Sequence, residues 1–182
     1  MISLRRIDPD DPGDRADLVA FMTGNEFPFH VRPRWTTEQV ESSLAHGSFR
    51  DQDNDSYWIE HTSHGRIGLL RFQDLTDDAP LFDLRLETRW RGHGFGSQIV
   101  DAATHHVFTT MPEVARFEAQ TRVDNVAMRR VLLRCGWVKE AHYRDGWPVP
   151  GAEPVASVAY GMLRRDWRTD VTTPVPWDDE PR

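Results

Sequence analysis

The chain has 182 residues, of which 38% are hydrophobic and 28% are charged, and its formal net charge is −7 at pH 7. This length fits a single domain that buries a sizeable core, and no apolar run approaches the length of a membrane span. The acidic balance argues against general nucleic-acid binding and favours a cationic partner.

Hydrophobic periodicity predicts strands and helices that alternate along the chain. A strand at residues 2–7 is followed by the turn Asp10–Asp14 and a helix that passes through Met22. A second helix begins at Thr36 or Thr37 and ends near residue 45. The later elements are a hairpin of strands at 56–61 and 66–75, a strand at 81–86, a helix at about 95–109, a strand at 115–121, a helix at 125–135, and strands at 137–144 and 155–164.

A glycine-rich turn, Arg91-Gly92-His93-Gly94-Phe95-Gly96, joins the strand at 81–86 to the next helix. Alternate glycines leave backbone N–H groups uncrowded, and the helix adds its positive dipole end, so the turn is suited to a pyrophosphate. A Walker loop is excluded because Gly96 is followed by Ser97 and Gln98 rather than by lysine, and the glycine spacing does not match a dinucleotide fold. A tight connection with no ligand is the alternative.

Three segments carry a family resemblance. Residues 91–96, read as Arg-x-x-Gly-x-Gly, resemble the acyl-coenzyme-A signature of the GNAT acetyltransferase superfamily, and residues 124–137 resemble its asparagine-initiated helix that ends in Gly-aromatic. Residues 160–167 resemble the closing strand of the RimJ/RimL branch, which acetylates protein N-termini. The resemblance spans about residues 2–167 and implies an α/β (α+β) fold, with a mixed, mostly antiparallel sheet of about seven strands flanked by helices.

The chain is expected to form one GNAT domain at residues 1–168. A Pro-rich, acidic tail follows at residues 169–182, and its composition is typical of extended or disordered segments. Cys135 is the sole cysteine and cannot form an internal disulfide, and no signal-peptide pattern opens the chain. We therefore expect a cytoplasmic protein, acting as a monomer or homodimer, in which Cys135 serves packing.

The resemblance implies that acetyl-CoA is the co-substrate and that no metal is needed. The strands at 81–86 and 115–121 are expected to splay apart so that the pantetheine arm pairs with the edge from Leu84 to Thr88. Asn125 either caps its helix or contacts that arm, since Asp124 is an equally good cap. The expected cofactor-binding residues are Leu84, Leu86, Thr88, Arg91, Gly92, His93, Gly94, Phe95, Gly96, Ser97 and Asn125, with Arg91 reinforcing the pyrophosphate.

Acetyl transfer to an amine needs a neutral amine, a donor for the oxyanion and a proton for the leaving thiolate. A backbone N–H near Leu86 or Glu87 is the expected oxyanion donor. Glu87 and Glu118 are the candidate bases, and each is alternatively a solvent-facing or ion-paired residue.

The proton donor is where the sequence departs from the family. Many relatives have a tyrosine seven residues after the helix asparagine, and the RimL type has a serine three residues after it, whereas this chain has Leu132 and Met128. Tyr143, Ser97 or a water could supply the proton, or the thiolate could leave directly. A catalytically impaired acyl-CoA-binding sensor or interaction module is the alternative function.

The acceptor is expected to be a protein or peptide N-terminus, or a small cationic amine such as an aminoglycoside, that attacks directly in a ternary complex. Phe27, Phe29 and Trp35 lie between the first two helices and could flank this amine, although such aromatics also anchor loops to the core. Trp147, near Tyr143, could form the opposite wall. The histidine pairs lack the matching Cys or carboxylate set of a metal site.

Overall fold

The computed structural model describes residues 1–178 and contains one sheet of seven strands in the order β1-β2-β3-β4-β5-β7-β6. Every neighbouring pair is antiparallel except β4 and β5, which are parallel. The mixed, mostly antiparallel sheet inferred from the sequence is therefore confirmed. The strands are β1 Ile2–Arg6, β2 Asp55–His61, β3 Gly65–Gln73, β4 Leu81–Leu86, β5 Arg116–Arg122, β6 Val138–Trp147 and β7 Val155–Leu163.

Five α-helices in the described residues flank the sheet, and a 3-10 helix at Thr88–Trp90 follows β4. The α-helices are α1 Pro12–Gly24, α2 Thr37–Ala45, α3 Phe95–Thr110, α4 Val126–Arg134 and α5 Arg164–Thr169. Local sequence explains where the first two begin: Asp11 accepts the Asp14 N–H ahead of α1, and Thr36 forms a capping box with Gln39 ahead of α2. No helix in residues 1–178 is long and apolar enough to cross a bilayer.

Each face of the sheet has its own apolar core. The core under α3 and α4 includes Ile99 and Phe117, and the core under α1 and α2 includes Phe21 and Trp58. Side chains along a strand alternate between the two faces, so consecutive residues of β4 serve opposite cores. We call the side covered by α3 and α4 the α3–α4 face, and the side covered by α1 and α2 the α1–α2 face.

β4 and β5 separate along their length. Leu81 and Glu118 form the one bridge between the two strands, next to a hydrogen bond of 2.9 Å from the Glu118 N–H to the Pro80 carbonyl. Beyond that bridge, no further pairing joins β4 to β5 within residues 1–178. The expected splay is confirmed, and it leaves a gap that opens toward the carboxyl ends of the two strands, called the β4–β5 gap below.

The closing segment differs from expectation. β7 ends at Leu163, one residue before the predicted end of the strand at 164. Residues 164–167, the second half of the segment that resembles the closing strand of the RimJ/RimL branch, form the start of α5. The Arg164 guanidinium donates to the carbonyls of Phe108, Met111 and Val114 at 2.5–2.6 Å, which ties the end of α3 to this point. These contacts are tertiary, so the local sequence does not announce them.

The described part of the tail has no regular secondary structure from residue 171 to 176. Thr173 donates its backbone N–H and its hydroxyl to Asp166 at 2.8 Å and 2.7 Å, so this stretch is attached to α5. Residues 179–182 of the predicted tail lie outside the described residues.

Candidate active site

The glycine turn leads from the end of β4 into α3. Gly92 and Gly94 have φ angles of +77° and +84°, where a side chain is strained. A Cβ atom at either residue would meet nothing within 4 Å, so the space beside these two glycines is open. Gly96 has another role, because a Cβ there would come within 2.7 Å of Val131 on α4.

The backbone N–H groups of the turn are available to a ligand. From Gly92 to Gly96 they donate no hydrogen bond to any group in residues 1–178. Gly94 precedes the first residue of α3 and provides no side-chain cap, so the positive end of the helix dipole is also uncompensated. An open, glycine-lined cradle of free N–H groups fits the diphosphate of coenzyme A.

Arg91 does not extend over the turn. Its guanidinium donates to the Leu86 carbonyl at 2.9 Å and 3.1 Å and to the Glu26 carbonyl, and it lies 5.6 Å from the centre of the Phe27 ring. Burial lowers the pKa of Arg91. The expected reinforcement of a pyrophosphate by Arg91 is thus not seen in this arrangement, in which the side chain fixes the end of β4.

The backbone of β4 presents alternate residues to the gap. The Glu87 N–H donates to the Ile67 carbonyl of β3 at 3.0 Å, so Glu87 is not the free oxyanion donor. Because backbone groups alternate in direction along a strand, those of Leu84 and Leu86 face the β4–β5 gap. Thr88 differs from expectation, since it lies in the 3-10 helix and its N–H donates to the Asn25 side chain at 3.0 Å.

Asn125 caps α4, which resolves the ambiguity between it and its neighbour. Its Oδ1 accepts the Met128 N–H at 3.3 Å, and its Nδ2 donates to Thr121 Oγ1 at 3.0 Å. Asp124 instead pairs with Arg122 at 2.7 Å, and that hydrogen bond lowers the pKa of Asp124. Both ends of the Asn125 amide are therefore engaged within the protein.

The two candidate bases lie far apart. Glu87 follows β4 on the α1–α2 face and forms an ion pair of 2.7 Å with Arg89, whose side chain is 69% exposed. Glu118 lies beside Leu81, six positions and roughly 20 Å back along the strand. Glu118 is also paired with Arg116, which contacts Glu140 as well. The structure brings Glu87, and not Glu118, to the open end of the gap.

A pocket of about 390 Å³ opens beside Glu87 on the α1–α2 face. It lies between the end of α1, the start of β3 and the residues that follow β4. Its charges are mixed, because Arg66 and Arg89 accompany the carboxylate. The lining residues are Ala20, Phe21, Gly24, Asn25, Arg66, Glu87, Thr88 and Arg89.

The aromatics expected to flank an acceptor lie in different environments. Phe27 is 1% exposed and belongs to the core under α1 and α2, so it anchors its loop. Phe29 is partly exposed, and the Arg122 guanidinium carbon lies 5.6 Å from the centre of its ring. Trp35 is half-buried, and the Arg32 guanidinium carbon lies 4.4 Å from its ring centre. Trp147 lies at the end of β6, opposite Val155 of β7.

The alternative proton donors are also separated. Tyr143 is 50% exposed on the edge strand β6, and β7 lies between β6 and β5, so Tyr143 is not brought to the β4–β5 gap. Ser97 lies in the first turn of α3, where its carbonyl accepts the Cys135 thiol at 3.6 Å. Burial raises the pKa of Cys135 to about 12, which agrees with a packing role.

Sequence reasoning missed a buried ionic network on the α1–α2 face. Asp83 accepts from His30 at 2.8 Å, from Arg85 at 2.8 Å and 3.1 Å, and from Arg71 at 3.2 Å. Burial alone would raise the pKa of Asp83, but the charges of Arg85, His30 and Arg71 hold it well below its usual value. The signal in the sequence was the position of Asp83 and Arg85 two residues apart in an apolar strand. This spacing indicates that the two side chains share one face of the sheet, but it does not indicate that this face is buried.

The family model for the acetyltransferase (GNAT) domain matches residues 2–138. The chain belongs to the GNAT acetyltransferase family. It is a GNAT-type N-acetyltransferase, and GNAT acetyltransferases use acetyl-CoA. Its assignment to the RimJ/RimL branch stays a prediction. No curated protein matches the sequence.

Solved structures support the GNAT fold. Spermidine N-acetyltransferase from Vibrio cholerae, in complex with CoA and spermine, has a TM-score of 0.77 at 16% identity, over 92% of this chain and 98% of that chain. A chimera of the Vibrio cholerae enzyme SpeG and hSSAT has a TM-score of 0.75 at 18% identity, over 92% and 98%. At these identities the likeness concerns the fold alone.

Proposed function

We propose that this GNAT protein transfers an acetyl group from acetyl-CoA to a primary amine in the β4–β5 gap. The observation that carries the proposal is the meeting of two features: strands joined by one bridge, and a turn with free N–H groups at the open end of the gap. Acetyl-CoA supplies the acetyl group as an activated thioester. Direct attack by the amine within a ternary complex needs no covalent acyl-enzyme.

The glycine turn would bind the diphosphate through the N–H groups of residues 92–97. Gly92 and Gly94 support this role because their open side leaves room for the phosphates. Leu84 would offer its gap-facing N–H and carbonyl to the pantetheine arm, as an added strand does. Leu86 would offer its N–H alone, because its carbonyl accepts from Arg91. Arg91 would act indirectly, by holding the Leu86 carbonyl and the segment at Glu26 in place.

The Leu86 N–H is the candidate oxyanion donor, because the neighbouring Glu87 N–H is already bonded to β3. Glu87 would accept the proton of the amine, directly or through water, since its side chain borders the pocket on the α1–α2 face. An α-amino group, with a reference pKa of roughly 7.7–8.0, needs less help from such a base than an alkylamine near 10.4.

Two acceptor classes remain. The net charge of −7 favours a small cationic amine such as an aminoglycoside, as does the fold likeness to proteins named as spermidine N-acetyltransferases. Arg66 and Arg89 line the pocket and are paired with Asp17 and Glu87, so little negative charge is left there for a long polycation. This favours an acceptor with one amine near Glu87, as in a peptide N-terminus.

Thiol release from acetyl-CoA, measured with spermidine, an aminoglycoside and short peptides, tests the function and ranks the acceptors. We expect release with at least one amine and a lower rate for Glu87→Gln. Tight CoA binding without thiol release from any acceptor would contradict the enzyme proposal and favour the sensor or interaction module.

A further inference from the structure

Thr121 lies on β5 at the edge of the β4–β5 gap. The strands bridge in parallel at Leu81 and Glu118, and counting three residues along each places Thr121 opposite Leu84. The Thr121 side chain is 6% exposed and shares the α3–α4 face with Phe117, because residues an even number apart point the same way. Its hydroxyl therefore borders the gap on the side covered by α4.

The hydrogen bonds around Thr121 decide how its hydroxyl is used. Since Asn125 Oδ1 accepts the Met128 N–H, the Asn125 amide nitrogen faces Thr121 and donates to Oγ1. Oγ1 is the acceptor in that contact, and the hydroxyl donates to no other group within residues 1–178. A buried donor without a partner is costly, so a ligand that accepts from it is stabilised.

We propose that the Thr121 hydroxyl donates a hydrogen bond to the sulfur of acetyl-CoA, an inference that rests on the acetyl transfer proposed above. When the amine nitrogen bonds to the acetyl carbon, the C–S bond breaks and its electron pair stays on sulfur. The proton of the amine passes to Glu87 or to water. Thr121 keeps its own proton and stabilises the thiolate, a role that Met128 and Leu132 of α4 cannot fill.

Paired substitutions test the role of this hydroxyl. Thr121→Val removes the hydroxyl and keeps the branched shape, whereas Thr121→Ser keeps the hydroxyl. The first readout is the pKa of the thiol of bound CoA, followed by the ultraviolet absorbance of the thiolate across pH. We expect Thr121→Val to raise that pKa by about one unit and to lower kcat about tenfold, with little change in KM for acetyl-CoA. Thr121→Ser is expected to restore both values.

Thr104→Val is the matched control. Thr104 is also buried, at 4% exposed, but its hydroxyl donates to the Val100 carbonyl within α3 at 2.8 Å. Its loss is expected to leave the pKa of the bound thiol unchanged. Thr121→Ala replaces Thr121→Val if the valine variant does not fold.

Two results would overturn the assignment. One is an unchanged pKa of the bound thiol in the variant without the hydroxyl. The other is an equal loss of affinity for CoA and for desulfo-CoA, which lacks the sulfur, because that would make the role of Thr121 structural. Failure of the proposed function gives a different pattern: the wild-type protein binds CoA and releases no thiol with any amine, while the pKa of the bound thiol still reports on Thr121.

Discussion

Asp83 is the carboxylate that His30, Arg71 and Arg85 share in the buried network of the α1–α2 face. Replacing it by asparagine therefore tests how much this network contributes to the stability of the fold. Asp83→Asn keeps the size of the side chain but removes the negative charge that Arg71 and Arg85 share. Removing one partner of a buried ion pair costs about 3–5 kcal/mol, because the other charge is left uncompensated. Total stabilities are about 5–15 kcal/mol, so this loss is large.

The loss translates into a measurable melting shift. A chain of this length loses roughly 2–4 °C of Tm per kcal/mol, which gives an expected fall of about 6–20 °C by circular dichroism. The control is Arg34→Gln, which breaks the exposed Arg34–Glu26 pair and is expected to change stability by about 0–1 kcal/mol. A Tm for Asp83→Asn within error of the wild-type Tm would refute the role of Asp83 as the negative charge that compensates Arg71 and Arg85.

The same network predicts a pH dependence. The pKa of Asp83 is held well below its usual value, so its contribution to stability is present above the unfolded-state pKa, about 3.9, and is lost as pH falls further. The free energy of unfolding should therefore decrease below about pH 4 in the wild type. That decrease should be shallower in Asp83→Asn, and equal slopes in the two proteins would contradict the assignment.

Two further predictions concern the site, and a third concerns Cys135. Gly94→Val should weaken CoA binding at least tenfold by calorimetry while the fold stays intact. The control is Gly151→Val, at a similar positive φ in a turn outside the proposed site, and it should leave the affinity for CoA unchanged. Equal affinities of Gly94→Val and the wild type for CoA would remove the glycine turn from the site. Glu87→Gln should lower the rate most below the pKa of the acceptor, whereas Glu118→Gln should not; a flat pH response for Glu87→Gln would remove it as the base. Cys135, with its pKa raised to about 12, should react with iodoacetamide far more slowly at neutral pH than free cysteine, and equal rates would contradict its burial.

Much of the fold followed from local signals. Strand β4 agrees with its predicted bounds of 81–86. Helix α2 begins directly after its N-cap Thr36, because the capping box is encoded within four residues. α5 escaped prediction because it is short and depends on the bonds from Arg164 to distant carbonyls. A six-residue segment has too little intrinsic helical propensity to be recognised as a helix from the sequence alone.

The site was less predictable because its geometry depends on strand order. The sequence placed Glu118 and Tyr143 near the chemistry, but the order β5-β7-β6 and the bridge at Leu81 hold them away from the open end of the gap. The sequence offered Asn125 and Asp124 as equivalent caps, and the ion pair between Asp124 and Arg122 distinguishes them in the structure. The free N–H groups of the glycine turn, in contrast, follow from spacing alone.

The most direct test of the central claim is an NMR titration of the isotopically labelled protein with CoA. Because the N–H groups of Gly92, Gly94 and Gly96 have no partner within the described chain, we predict large shifts and slower hydrogen exchange at these residues when CoA binds. Saturable CoA binding that leaves these three amides unchanged would contradict the assignment of the glycine turn as the diphosphate site.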